Sequence, residues 1–418
     1  MIGLALAEAL SRREADVVIV DAGACGQGAS SENCGWVTPG LTSPIPSPGT
    51  MGQAFRWMLN PRSPLLVRPT LRPSFARWTY DFWRSTRPRA FSAGMAAMMT
   101  LSQRVLSDYD ALAQCCSFEM HSQGVLFVGR SRRSVVEELR LLRECQALGY
   151  EGDVVEMSTA EALAQEPGLR GDFAGAVYAS SERHLRPETL TAGLEAELRR
   201  RGIDIRENSP VRGFTQEPDD GWSLRCGSDV IGADRVVLAT GLATRSLLSP
   251  LGVQLPLEAA KGYSLTSPGP SSRLRGPVYL LESRIAASPF EGGLRFAGIL
   301  ELGSRGSACN RLRIAAVRAA ARRGFGEWTE DIEWKRWAGF RTLLPDGLPA
   351  IGPVPGFRGL HVATGHGMVG VTLAPTTAEL LAPAILDGAA PSQLAPFSLG
   401  RFNNRGHLSN HNHIHQGV

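Results

Sequence analysis

Gly3 and Asp21 are the first residues whose types and spacing suggest chemistry. In a dinucleotide-binding βαβ unit the last glycine of GxGxxG lets a helix pack closely on a sheet, and an acid about 20 residues later accepts the ribose hydroxyls. Asp21 has that separation and closes the apolar run Val17-Val18-Ile19-Val20. Met1-Ile2-Gly3 supplies only the end of the motif, so a plain helix followed by a buried strand fits these residues as well. The next loop, Gly26-Gln27-Gly28-Ala29-Ser30-Ser31-Glu32-Asn33-Cys34-Gly35-Trp36, is crowded with small side chains. Such side chains let backbone N–H groups reach a ligand, although an ordinary Gly/Ser loop has the same composition. Toward the other end, Gly365-His366-Gly367-Met368-Val369-Gly370-Val371-Thr372 precedes a helix expected over about 372–386. A helix N-terminus offers free N–H groups and partial positive charge, which suits an anion such as the N1/O2 edge of a reduced flavin. His366 alone reads as a loop histidine.

These residues need elements to hold them. Leu4, Ala5, Ala7, Ala9 and Leu10 make a short helical pattern, and Val17–Val20, Val236–Ala239 and Leu360–Ala363 read as buried parallel strands. The last two end in Thr240-Gly241 and Thr364-Gly365. Strands so far apart in the chain imply one sheet built from distant segments, with a second domain inserted between them. Residues 1–45, 181–254 and 336–400 are expected in the first domain, 46–180 and 255–335 in the second, and 403–418 in a flexible tail. Helices are predicted over 108–112, 135–148 and 190–201, the last two stopped by Gly149 and Gly202. Residues 123–128, 278–281 and 294–300 are predicted as strands of an antiparallel sheet.

Composition bounds the function. A chain of 418 residues with 43% hydrophobic and 20% charged residues is neither disordered nor collagen-like. A net charge of +4 excludes a dedicated nucleic-acid binder. Lys261 and Lys335 are the only lysines among 44 basic residues, a bias that a phosphate-binding surface would not require. Seven cysteines, with no CxxC, point to a reducing compartment. No signal peptide or membrane-spanning stretch is expected, so the localisation read from the sequence is cytoplasmic, with peripheral contact on the inner membrane face. The histidines at 411, 413 and 415 read as a polar tail, and no metal site is expected.

Gly28-Ala29-Ser30, Asn33-Cys34-Gly35, Lys261-Gly262-Tyr263-Ser264-Leu265-Thr266, Pro345-Asp346-Gly347-Leu348-Pro349 and Gly365–Gly370 together carry a resemblance. The chain resembles the FAD-dependent D-amino-acid dehydrogenases and the wider glycine/D-amino-acid oxidase (DAO) family from Met1 to about Phe402. The resemblance implies an α/β fold, with a Rossmann-like FAD domain and an antiparallel-sheet α+β substrate domain. It implies FAD as cofactor and a small amino acid as substrate, oxidised by hydride transfer to flavin N5. Carried over residue by residue, Gly3, Asp21, Ala22 and Val211 would serve the adenosine half. Ala29, Ser30, Cys34, Gly35, Trp36 and Gly241 would approach the pyrophosphate and flavin, and His366, Gly367, Met368, Val369, Gly370, Val371 and Thr372 would close over the ring. Arg341 would grip the substrate carboxylate, a task that suits its planar fork.

The family pattern begins with a strand and two glycines that Met1 does not preserve, so a misplaced start, with little FAD held by the chain from Met1, is the expectation. A non-catalytic truncated product and an oxygen-using oxidase are the alternatives. The resemblance favours electron transfer to a respiratory or other non-oxygen acceptor, such as a quinone. Residues 55–91 hold eight arginines against Asp81, interleaved with Trp57, Phe75, Trp78, Tyr80, Phe82, Trp83 and Phe91. That mixture suits a bilayer headgroup region, or equally an aromatic core with a solvated arginine rim.

Overall fold

Alternating leucine and alanine make Ile2–Ser11 a helix whose Leu4–Leu10 are all buried. It packs against the helices Pro187–Arg200 and Ala374–Asp387, which form the layer behind the cofactor-type strands. The computed structural model describes residues 1–402 apart from 59, 61, 62, 69, 270–272, 305, 307 and 331, with only the backbone of Gln53. The expected tail 403–418, with its histidines, and Arg62 lie outside the described residues.

Val18–Val20 pairs in parallel with Asp204–Arg206, just after Gly202 (φ +78°) ends the helix 187–200. Val236–Leu238 pairs in parallel with Leu360–Thr364, which takes Ala350–Pro353 antiparallel on its other side. The expected single sheet is therefore corrected: these strands form two separate hydrogen-bonded groups. Each bonds to its own neighbour, no strand among the described residues bridges them, and Val18–Val20 and Val236–Leu238 both line the cleft between the groups. The helix at Gly3 comes close to this second group, since a Cβ on Gly3 would lie 3.4 Å from that of Ala239.

The second body is a nine-stranded sheet, counted among the described residues. Its order is 335–343, 258–268, 293–302, 285–290, 278–280, 125–129, 175–179 and 154–157, with Leu65–Val67 beside 300–302. It is mixed rather than antiparallel throughout: Val278–Leu280 runs parallel to Leu126–Val128, and Leu65–Val67 parallel to Leu300–Leu302. Lys335–Leu343, expected in the cofactor domain from 336 onward, pairs along its whole length with Glu258–Thr266. The helix Arg311–Phe325 covers one face through Ile314, Val317 and Phe325, burying Phe296 and Tyr263. A small sheet of Trp36–Val37, Arg183–Leu185 and Met120–His121 also forms.

Candidate active site

One continuous cleft of about 3120 Å³ runs from Asp21 to Arg341. It is several times larger than the roughly 300–1,000 Å³ of a small-molecule site, a size that suits an extended dinucleotide with a substrate beside it. At one end Asp21 is exposed at the tip of its strand, where Oδ1 accepts from the Gly23 amide at 2.9 Å. Its carbonyl accepts from Ser209 N at 2.8 Å, which brings Pro210 and Val211 onto the same wall as Ala22. An acid at a strand tip beside an open wall is the arrangement that ribose hydroxyls need.

The loop 29–38 is pinned from both bodies. Asn33 bridges it by donating to Ser30 O and accepting from Gly35 N, both at 2.7 Å. Arg295, buried in the large sheet, donates to Asn33 O at 2.7 Å and pairs with Glu188. Ser288 donates to Cys34 O at 2.7 Å and accepts from Trp36 Nε1 at 2.8 Å. Thr372 donates to Trp36 O at 2.9 Å and accepts from Thr38 N at 3.3 Å. Ala29, Ser30, Cys34 and Trp36 reach the cleft wall, as do Gly3 and Gly241. Gly35 does not line it. It turns at φ +68° against Leu185, whose carbonyl would lie 1.8 Å from a Cβ there, so its role is packing. Burial pushes the Cys34 thiol up, against the opposing pull of Arg341, so sulfur stays protonated at neutral pH.

His366 to Thr372 all line the far end. The helix begins at Ala374 rather than 372, and Gly365 (φ +78°) and Gly367 (φ +57°) make the tight turn before it. Gly367 N donates to Thr342 O at 3.0 Å and His366 bridges to Leu343, so this turn is held against the strand that carries Arg341. The His366 ring is buried against Thr377 Oγ1 at 3.1 Å, and burial pushes its pKa down to about 4. It is a neutral imidazole at physiological pH.

Arg341 lies in the same cleft. Its guanidinium occupies the space that Gly262 leaves, where a Cβ would lie 1.7 Å from Arg341 Nη1, while the Trp337 ring fills the space over Gly339, the register partner of Gly262. Nη1 donates to Gly339 O at 3.3 Å, and no carboxylate pairs with Arg341 among the described residues. Desolvation lowers its pKa from the usual arginine value, with only Cys34 opposing. A desolvated cation without an anion is costly, and a carboxylate ligand relieves that cost with two parallel hydrogen bonds.

Sequence reasoning missed Tyr279, Arg284, Glu138 and Trp337, which line the cleft, and Arg295, which pins its loop. An arginine inside the apolar run Gly293-Leu294-Arg295-Phe296-Ala297 was a visible signal. Tyr279 and Arg284 sit in a hairpin, Glu138 on a helix and Trp337 on the strand Lys335–Leu343, at positions that carry no motif.

A cleft between a parallel-strand body with an acid at a strand tip and a large sheet presenting an arginine defines a dinucleotide-dependent oxidoreductase. The profile of FAD dependent oxidoreductases (DAO) matches residues 1–384, and the chain belongs to that family. It is 27% identical over 415 residues to a D-amino acid dehydrogenase of Vibrio cholerae, covering 96% of this chain and 97% of that one. It is 28% identical over 404 residues to the D-amino acid dehydrogenase of Cereibacter sphaeroides, covering 94% and 91%. Among solved structures, glycine oxidase from Geobacillus kaustophilus superposes with a TM-score of 0.75 at 23% identity, covering 96% of both chains. L-proline dehydrogenase from P. horikoshii gives 0.73 at 17%, covering 96% and 95%. The chain is thus an FAD-dependent enzyme with the family's α/β fold.

Proposed function

We propose that the chain oxidatively deaminates a D-amino acid, with Arg341 as the carboxylate anchor. The observation that carries this reading is an arginine desolvated in a cofactor-sized cleft without an acidic partner among the described residues. Relatives called D-amino acid dehydrogenases along nearly the whole chain support it. FAD would be held by Gly3, Asp21, Ala22 and Val211 at the adenosine end, by Ala29, Ser30, Cys34, Trp36 and Gly241 along the middle, and by 366–372 at the ring. Bound FAD supplies the two-electron oxidant that accepts the substrate's α-hydride. Arg341 fixes the carboxylate, and therefore the orientation of the α-carbon. Neutral His366 adds no competing positive charge. The imino acid product is hydrolysed by water to a 2-oxo acid and ammonia.

The electron acceptor in this reading is a respiratory carrier such as a quinone, reached at a membrane surface through residues 55–91. The helix Thr50–Met58 contributes Met51, Phe55 and Trp57 to the cleft lining, and Pro73–Ser85 contributes Phe75, Trp78 and Phe82, so the cleft leads toward that face. The test is anaerobic mixing of the flavin-loaded protein with D- and L-amino acids. D-amino acids are expected to bleach the flavin, a quinone analogue to restore its colour, and air to restore it slowly. Arg341→Lys keeps charge but loses the fork, so the apparent affinity for the amino acid falls about 100-fold while flavin content holds. Bleaching by L- but not D-amino acids, or unchanged affinity in Arg341→Lys, overturns the reading. Rapid reoxidation by air with peroxide assigns the oxygen-using chemistry instead.

A further inference from the structure

The mechanism above leaves one polar cluster in the cleft unused. Tyr279 and Arg284, from the hairpin Val278–Phe290, line it together with Glu138 from the helix Arg132–Ala147. Arg284 has Tyr279 and Glu138 as electrostatic neighbours, is exposed in the cleft, and makes no ion pair within 4 Å among the described residues. Its backbone is held at φ +53°, an uncommon conformation for a non-glycine residue. The carbonyl of Arg284 lies 2.3 Å from where a Cβ on Gly298 would be, so the bulge at Gly298 and Ile299 accommodates this turn. Glu138 is 7% exposed, and its Oε1 has no hydrogen-bond partner. A buried carboxyl oxygen left unpaired is costly.

Tyr279 also ties the cluster to the carboxylate anchor. Its ring meets the Trp36 ring edge-on at 5.5 Å, and the Cys34 thiol has both Tyr279 and Arg341 as electrostatic neighbours. Arg341 and Arg284 thus both reach the cleft without an ion-pair partner among the described residues, the first as a neighbour of Cys34 and the second through Tyr279 beside Trp36. We propose that Tyr279, Arg284 and Glu138 form a side-chain subsite that selects an amino acid bearing a second, distal carboxylate. The proposal rests on the amino-acid-oxidising reading of the cleft. In it, Arg341 takes the α-carboxylate, and Arg284 and the Tyr279 hydroxyl take the distal one. Burial pushes Glu138 up to about 7, so below neutrality its carboxyl is a further donor to that ligand rather than a repelling charge.

Two measurements test this on the full chain. Quenching of tryptophan fluorescence, with Trp36 and Trp337 in the cleft wall, reads binding without turnover. Glutarate or succinate is expected to bind at least about 10-fold more tightly than butyrate, a preference lost in Arg284→Gln. In the flavin-loaded protein, D-glutamate or D-aspartate is expected to exceed its own amide in kcat/KM by about 10-fold or more. Arg284→Gln abolishes that ratio while leaving D-alanine within about threefold of wild type. Equal binding of mono- and dicarboxylates, an amide or apolar amino acid as the preferred substrate, or equal losses for all substrates in Arg284→Gln overturns the subsite. Arg284-dependent dicarboxylate binding without oxidation of any amino acid leaves the subsite standing and removes the proposed reaction.

Discussion

Single residues decide whether the cleft keeps its shape, and Glu182 is the clearest case. It is fully buried, it accepts from Gly40 N at 2.9 Å, and it lies beside Tyr150. That bond fixes the turn Pro39–Leu41, next to the cleft-lining residues Thr38, Leu41 and Thr42. Burial pushes its carboxyl from the ordinary 4.5 up to about 8. Between those values the folded chain holds a proton that the unfolded chain has released, so stability falls as pH rises across that window. Glu182→Gln keeps the acceptor to Gly40 and removes the titration. Its melting temperature is therefore expected to gain on wild type steadily from pH 5 to pH 8, with a ceiling of about 1.4 kcal/mol per pH unit. Parallel pH profiles for the two proteins refute this. Nothing around Glu182 in the sequence marks it, because a buried acid is recognisable only by what surrounds it in space. Asp21 and Gly365–Gly370, in contrast, were legible because their chemistry depends on local order along the chain.

At the scale of elements, the apolar runs announced the strands and the glycines announced the helix ends, as Gly149 and Gly202 did for Arg132–Ala147 and Pro187–Arg200. Pairing was not legible. Nothing in Val17–Val20 says that Asp204–Arg206 is its neighbour, and Lys335–Leu343 joins the large sheet because Glu258–Pro268 offers a long edge in register. Register has a direct functional consequence. It places Gly262 opposite Gly339, and the guanidinium of Arg341 fills the space above Gly262. A methyl group at 262 would meet Arg341 Nη1 at 1.7 Å. The flexible end of the arginine can swing away, so Gly262→Ala is expected to cost about 1 kcal/mol of stability or less. Its substrate affinity nevertheless falls by about 10- to 100-fold, with flavin content unchanged, because the displaced fork no longer meets the carboxylate. Titration of the variant with a carboxylate ligand checks this, and wild-type affinity would show that the strand geometry tolerates a side chain there.

The whole molecule presents an uneven surface. Phe55, Met58, Leu71, Tyr80 and Trp83 are all exposed, and Leu71 fully so, whereas Phe75 and Trp78 turn inward, with Trp78 stacked between Phe75 and Phe82. Of the aromatics in residues 55–91, some therefore build the interior and others face out. Arg77, Arg87 and Arg89 are exposed on the same stretch, and the Arg87 guanidinium lies 5.4 Å from the Trp83 ring. No helix among the described residues is long and apolar enough to cross a membrane. Exposed aromatics with arginines beside them match the chemistry of a headgroup layer, where rings bury and guanidinium groups meet anionic lipid. Each arginine at such a surface contributes about 1 kcal/mol, and the contribution is screened by salt. The protein is accordingly expected to sediment with anionic vesicles at low salt and to be released as salt rises. Arg84, Arg87 and Arg89 changed together to Gln weaken binding by about 100-fold, and Trp83→Ser weakens it without altering the salt dependence. Neutral phosphatidylcholine vesicles serve as the control. A protein that stays in the supernatant with anionic vesicles at low salt assigns this face to solvent, and the electron acceptor must then be a soluble one.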